Sequence, residues 1–372
     1  MICSMNKKLS DIFRWLRFPL AVMIVMKHYY TPDILAEYFC GLTGSDYTIY
    51  YYVGKFFSDV FTSMMVPIFF FMSGYLYFVN VDIKKGLGRD VWKAKTRSRI
   101  KTLLVPYLCW NLLVLIFFAI TQYLSGNSEV MAKDGYKLVA DYQFIDYIKA
   151  FVALDSTTLP IDGPLWFIRN LFIIAVFLTP LLGFLFSKNK NLTIFILLVA
   201  YFVFRISDIM EYSMSSLFFF SLGGYMSIRG SSMLVEREDA TPWVCLVVIL
   251  VTMTFFFITH FYYPDIEYYP RGIFLICSAC LIYPIIGRIA DYSAQSLFSR
   301  LSVSSFFIFA IHKPLQVIVR RLTFAVIHPL EEWVLILLVF VIPMIVVGIS
   351  LLIFYFIKRY MPYLGFLNGY RL

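Results

Sequence analysis

The chain has 372 residues, of which 60% are hydrophobic, 19% aromatic and only 15% charged, with a formal net charge of +9. A soluble globular domain does not carry that balance, so the composition excludes one and points to a polytopic membrane protein. The positive charge sits between hydrophobic stretches rather than on a basic stripe of a soluble domain, which excludes nucleic acid as a partner.

In chain order, Lys7 and Lys8 give the first 11 residues a basic start. The stretch that follows holds Arg14 and Arg17 and has no small-residue cleavage site, so no removable signal peptide is expected. Hydropathy predicts an all-α chain of ten spans, at roughly 12–31, 55–80, 102–124, 164–187, 191–209, 214–229, 242–262, 271–290, 301–320 and 333–357. An even number places both termini on one side. Nineteen Lys and Arg fall on the face that carries the termini and the 84–101 loop, against six on the other, so both termini are expected in the cytoplasm.

The longest outer segment, roughly 125–163, interleaves Asp134, Asp141, Asp146, Asp155 and Asp162 with Tyr136, Tyr142, Phe144, Tyr147 and Phe151. It predicts a short amphipathic helix on the outer face, its aromatics floating in the interface or stacking on sugar rings. Of the six cysteines, Cys109, Cys245, Cys277 and Cys280 fall in spans, Cys3 on the inner side and Cys40 alone outside, so no outer disulfide is available. The Cys277–Cys280 spacing reads as packing, because no His or acidic residue stands near it. No internal repeat is visible, which weighs against the inverted-repeat transporters.

Chemistry is expected first at Arg17 and His28. The nine residues from Phe18 to Met26 are apolar and Lys27 follows. An eleven-residue offset at about 100° per residue closes to within about 20° of whole turns, so both side chains leave one helical face about 16 Å apart. An ionisable residue inside a span is costly, and nine apolar residues cover only about 14 Å of a ~30 Å hydrocarbon core. One of the two therefore lies well inside the membrane even if the other snorkels to headgroups. Imidazole titrates near neutrality and suits a general base, whereas a permanently charged guanidinium suits holding phosphate or carbonyl oxygens. Together they describe transfer of an activated acyl group to a hydroxyl.

Asp59, Ser73, Arg169, Arg205, Asp208, His260, Arg271, His312 and Lys313 are the other polar residues in or near spans. Cations outnumber acids, which favours an anionic ligand such as a CoA or a polyprenyl phosphate. His312 lies two residues before Pro314, which should loosen its helix, and it serves either a site or a structural hydrogen bond. Trp166 and Arg169, one turn apart, open the fourth span, the Trp as an interface anchor. Arg205 and Asp208 are spaced to pair with each other.

Five motifs in order resemble the acyltransferase-3 family of integral membrane acyltransferases. They are Arg17-x10-His28, the run Phe70-Phe71-Met72-Ser73-Gly74-Tyr75, a basic stretch from Arg99 into Pro106-Tyr107, Pro164-Leu165-Trp166-Phe167, and the stretch from Ser302 to His312 and Pro314. The likeness spans nearly the whole chain. One departure is Thr102, which stands with Lys101 beside it where the family often has the second Arg of Arg-x-x-Arg.

The resemblance implies one membrane-embedded domain over 1–372 in a bacterial cytoplasmic membrane, passing an acyl group, acetyl above all, from acetyl-CoA to a hydroxyl of a surface or lipid-linked glycan. Carried onto these positions, His28 and Arg17 would be catalytic. Arg97, Arg99 and Lys101 would hold the CoA phosphates, with the pantetheine arm threading past Arg14, and Ser73, Trp166, Arg169 and His312 would support the substrates. Direct attack by the acceptor and an acyl-histidine relay both remain open, as do a non-glycan acceptor and a transporter or flippase for an anionic glycolipid.

Overall fold

The structure, a computed structural model, describes residues 2–30, 35, 47–124, 126, 137–152, 159–204, 208–230, 241–293, 295–327 and 331–370, without the side chains of 2–6, 85 and 208–212. Cys40, Arg205, Asp134, Tyr136 and Asp155 lie outside the described residues, as do the side chains of Cys3 and Asp208. Among the described residues every regular element is helical.

Helix α1 covers Ile2–Lys27 and is followed by α2 Thr48–Lys55, α3 Met65–Phe78, α4 Arg89–Arg99, α5 Val105–Leu124 and α6 Phe144–Val152. Then come α7 Trp166–Ile173, α8 Thr179–Val203, α9 Asp208–Arg229, α10 Thr241–Tyr262 and α11 Tyr268–Ile289. The last three are α12 Leu297–Leu301, α13 Ser305–Val326 and α14 Glu332–Tyr360. Wide π-helical turns at Phe56–Val60, Ile100–Leu104 and Ile174–Leu178 join α2 toward α3, α4 to α5 and α7 to α8. Such turns release backbone carbonyls from the regular ladder. One is used at once: Trp92 Nε1 of α4 donates to the Val176 carbonyl at 2.8 Å.

Among the described residues seven helical segments are long and apolar enough to cross a membrane, where the sequence predicts ten. They are Thr48–Phe78, Arg89–Leu124, Gly163–Val203, Thr241–Tyr262, Tyr268–Ile289, Leu297–Val326 and Glu332–Tyr360. Two expected spans share the segment Gly163–Val203, which is interrupted by the extended backbone of Asn189 (φ −155°, ψ 92°). Helix α1 falls short because Lys7, Lys8, Asp11, Arg14 and Arg17 interrupt its apolar residues. Helix α9 is diluted by Ser213, Ser215, Ser216, Ser221 and Ser227. Outward apolar side chains such as Val244, Val247, Val251, Phe255 and Ile258 on α10 give the bundle a lipid-compatible surface.

The small residues of α9 have a packing purpose. A Cβ on Gly74 of α3 would overlap the Phe220 carbonyl, and one on Gly223 would overlap the Phe71 carbonyl, so the two helices meet backbone to backbone. The glycine of the Phe-Phe-Met-Ser-Gly run is therefore an architectural residue, and it fixes where Ser73 stands. Phe13, Tyr75, Phe71 and Tyr283 then lock α1, α3 and α11 together through edge contacts at 5.3 and 5.1 Å and a stack at 5.4 Å.

Helices α1 and α13 run parallel, because pairings advance together along both. Gln316 Nε2 donates to the Val25 carbonyl at 2.9 Å, two residues before α1 ends, and Arg320 Nη1 to the Tyr29 carbonyl at 3.4 Å, two residues after it. These side chains satisfy carbonyls that a helix C-terminus leaves without an intrahelical donor. Contrary to the sequence expectation, α1 stops at Lys27, and His28 makes the last α-type bond, from its N–H to the Ile24 carbonyl at 3.3 Å. Pro19 and Pro314 both lie inside unbroken helices, α1 and α13.

The amphipathic helix expected in the outer segment is α6. Phe144, Ile145 and Tyr147 are exposed while Ala150 is buried against α5 with Val114, Leu115 and Ile161. Asp146 accepts from the Gln143 backbone N–H at 2.9 Å and from Lys137 at 3.1 Å. The backbone bond first, and the ammonium second, hold its carboxyl below the usual carboxylate range.

Candidate functional site

A partly enclosed cavity of about 130 Å³ lies between α1, α3, α7, α13 and the turn after α4. Its polar lining is Arg17, Ser73, Arg99, Ser302 and Ser305, set among Phe13, Phe69, Phe167 and Phe309. Three separate motifs of the sequence thus meet in one lining. Arg17 belongs to the first helix, Ser73 is held in place by the Gly74 contact, and Arg99 closes α4 just before the Ile100–Leu104 turn. The volume is small beside the roughly 300–1,000 Å³ clefts that enclose drug-sized ligands, so the space suits a slender chain. Two guanidiniums on an apolar-walled space favour an anion or a strongly polarised oxygen there.

The histidines lie one turn beyond this lining. Ile24 lines the cavity and precedes His28 by four residues, and Phe309 lines it three residues before His312. The imidazoles of His28 and His312 face each other with ring centroids 5.3 Å apart and planes tilted by 30°. His28 is half-buried and His312 wholly buried. His312 Nδ1 sits 2.7 Å from the Phe309 carbonyl. Lys27, next to His28, turns away from the cavity and donates to the Ser58 carbonyl at 3.1 Å.

The remaining expected site residues are dispersed. Arg14 pairs with Asp11 at 2.7 Å, one turn away on the same helix. Arg97 and Lys101 are exposed, leaving Arg99 as the member of the basic stretch that reaches the cavity. That stretch is fastened by Trp92 and by Lys95, whose Nζ donates to the Tyr77 carbonyl at 2.7 Å. Trp166 stands at the start of α7 with its ring 6.5 Å from Phe70. Arg169 donates to the Val152 carbonyl at 3.1 Å and to Asn170 at 3.2 Å, binding α7 to the end of α6.

Sequence reasoning missed Ser305. It is 6% exposed and lines the cavity, and its hydroxyl makes no hydrogen bond among the described residues. Its neighbours Ser302 and Ser304 bond back to the Ser299 and Leu301 carbonyls, each at 2.7 Å, as helical serines commonly do. The run Ser302-Val303-Ser304-Ser305 was the available signal, but which of its hydroxyls faces a cavity depends on the short 3-10 turn at Ser302–Ser304. A second residue group escaped notice as a unit. His260 Nδ1 lies 2.6 Å from Glu267 Oε2 and its Nε2 lies 3.6 Å from Asp59 Oδ2, and Ser58 Oγ donates to Asp59 at 2.9 Å.

A family model described as an acyltransferase domain matches residues 11–355, nearly the whole chain and every residue of the cavity and the histidine pair. No curated protein and no solved structure matches.

Proposed function

The chain belongs to that acyltransferase family, and from this premise we propose that it takes an acetyl group from acetyl-CoA and passes it to a hydroxyl of a surface or lipid-linked glycan. It is an integral membrane acyltransferase; the donor, the acceptor and the bacterial cytoplasmic membrane as its place belong to the proposal. The observation that carries the reading is the cavity itself. Arg17, Ser73 and Arg99 line one small cavity walled largely by apolar side chains, and His28 and His312 lie four and three residues beyond its lining residues Ile24 and Phe309.

In this reading the basic face, at the Arg99 end, lies in the cytoplasm. Arg99 holds a phosphate of the donor at the mouth, and the exposed Arg97 and Lys101 steer it there by long-range attraction. The pantetheine arm fits the slender interior, with Arg17 and Ser73 offering donors to its polar atoms. His28 takes the proton of the acceptor hydroxyl as its oxygen bonds to the thioester carbonyl carbon. The carbon–sulfur bond then breaks, and the protonated imidazole returns its proton to the departing thiolate, giving the ester and free coenzyme A. An acyl-histidine intermediate uses the same groups in two steps.

The test is thioester loss from acetyl-CoA with purified protein in lipid nanodiscs containing a polyprenyl-linked glycan. Acceptor-dependent release of free thiol, abolished by His28→Ala, is expected. Movement of the glycolipid across the bilayer without thiol release, unaffected by that change, would identify a carrier and overturn the reading.

A further inference from the structure

His312 is bonded on one side only. The Phe309 carbonyl can only accept, so at 2.7 Å the proton must reside on His312 Nδ1, which leaves Nε2 as a bare acceptor. That nitrogen is fully buried and makes no hydrogen bond among the described residues. A buried acceptor without a donor costs stability, and native structures rarely keep one without a use. The His28 ring lies with its centroid 5.3 Å away and its plane tilted by 30°, so a small rotation of that half-buried side chain would bring one of its nitrogens within hydrogen-bond reach of His312 Nε2.

We propose that His312 is a positioning residue: its Nε2 accepts the N–H of His28, fixing the tautomer in which the opposite nitrogen of His28 is the lone-pair base that faces the acceptor hydroxyl. The chain of order runs from a backbone carbonyl, through one imidazole, to a second. It follows the logic by which a carboxylate orients a catalytic imidazole, with a neutral ring in place of the anion. A neutral partner suits this location. Lys27 and Lys313 flank the two rings in sequence, and a bare nitrogen that accepts without carrying charge adds nothing to their field. The helix supplies the precision, since Phe309 and His312 are one turn apart on α13 and Gln316, a turn further, ties α13 to the end of α1.

This proposal rests on His28 being the reacting base, so its test carries one readout independent of acyl transfer. In His312→Gln the amide can present an acceptor oxygen near the position of Nε2, whereas in His312→Asn the shorter amide reproduces Nδ1 and its bond to Phe309. Two rates are followed in detergent-purified wild type and both variants: carbethoxylation of His28 by diethyl pyrocarbonate, read by peptide mass spectrometry, and acetyl-CoA turnover. His312→Gln should stay within about tenfold of wild type in both. His312→Asn should lose about 10²-fold in kcat with little change in KM, the size of a lost acid–base contribution, and slow the modification of His28.

The opposite ranking, with Asn near wild type and Gln impaired, would show that His312 only braces Phe309. Equal behaviour of all three proteins would also overturn the proposal. If either variant fails to fold, histidine methylated on Nε2 and installed at position 312 keeps the ring and the Nδ1 bond. Undiminished modification of His28 and undiminished turnover in that protein would overturn the proposal, and loss of both would sustain it. Absence of turnover in the wild type, with the modification ranking as expected, would remove the acyl-transfer reading and leave the histidine pairing standing.

Discussion

Two histidines of this bundle are surrounded in opposite ways. His260 has a carboxylate oxygen on either side of its ring, Glu267 at 2.6 Å and Asp59 at 3.6 Å, and the cluster binds α10, α11 and the turn before α3 to one another. His312 has a backbone carbonyl on one side and, among the described residues, no hydrogen bond on the other, with a second imidazole 5.3 Å away. A ring flanked by carboxylates on both edges is a cross-brace, bonded to Glu267 at hydrogen-bond length and facing Asp59 at ion-pair distance. A ring bonded to a backbone carbonyl on one edge offers the acceptor on its other edge to a neighbouring side chain, and such an acceptor is what orienting a second imidazole requires. The contrast separates the two more clearly than burial does, since both are largely shielded from solvent.

The strongest way to break this contrast is at the reactive pair. His28→Ala should preserve expression and detergent-extracted folding while removing about 10²–10⁴-fold of turnover. A folded variant with near wild-type thiol release would end the catalytic assignment. Next comes Arg17, where a planar fork and a point charge can be told apart. Arg17→Lys should lose about tenfold in kcat/KM although the charge remains, the size of one directed charge-assisted contact of about 1.4 kcal/mol. Activity within about twofold of wild type would reduce Arg17 to a snorkelling cation.

A smaller effect is expected on the basic stretch, and it divides by position. Arg99→Gln should raise the KM for acetyl-CoA several-fold at any ionic strength, because its side chain lines the cavity. Arg97→Gln and Lys101→Gln, at exposed positions, should act mainly at low salt, since screening over about 8–10 Å erases surface steering. If the three changes proved equivalent, the cavity would have no claim on the donor. The smallest change in turnover should come from His260→Gln, within about twofold of wild type. Its thermal midpoint should nevertheless fall, because Asp59 and Glu267 would lose the group between them. A selective loss of kcat there without a fall in midpoint would erase the contrast between the two histidines.

Much of this protein is legible in its sequence, because the bilayer imposes strong and local rules. Long apolar runs mark helices that must satisfy their own backbones, and a cation inside such a run marks a cost that needs a reason. Arg17 was visible in this way and Ser73 as a polar residue within a span, whereas Arg99 stood out through its basic loop and the resemblance of that stretch to the family. The amphipathic pattern of α6 was legible too, since alternation between exposed Phe144 and buried Ala150 is a property of one helix. The count of ten spans was less secure, because hydropathy weighs residues and not packing. α9, with its serines and glycines, is suited by close approach to α3 rather than by its own apolarity.

What the sequence by itself determined is an all-helical membrane chain and the list of polar groups that such a chain has to account for. Which of them face one another was decided only by the tertiary structure. Arg14 and Arg17 are three residues apart on one helix, yet the first is spent on Asp11 and the second lines the cavity. Arg97 and Arg99, two residues apart at the end of α4, also part, the first exposed and the second lining the cavity. His28 and His312, separated by most of the chain, stand opposite each other because α1 and α13 run parallel in a register held by Gln316 and Arg320. A helix sets the direction of its side chains from local geometry alone, but the partner each one meets depends on the rotation and depth of a second helix. Those are fixed by side-chain and backbone contacts between segments hundreds of residues apart in sequence, and no local window of residues contains them.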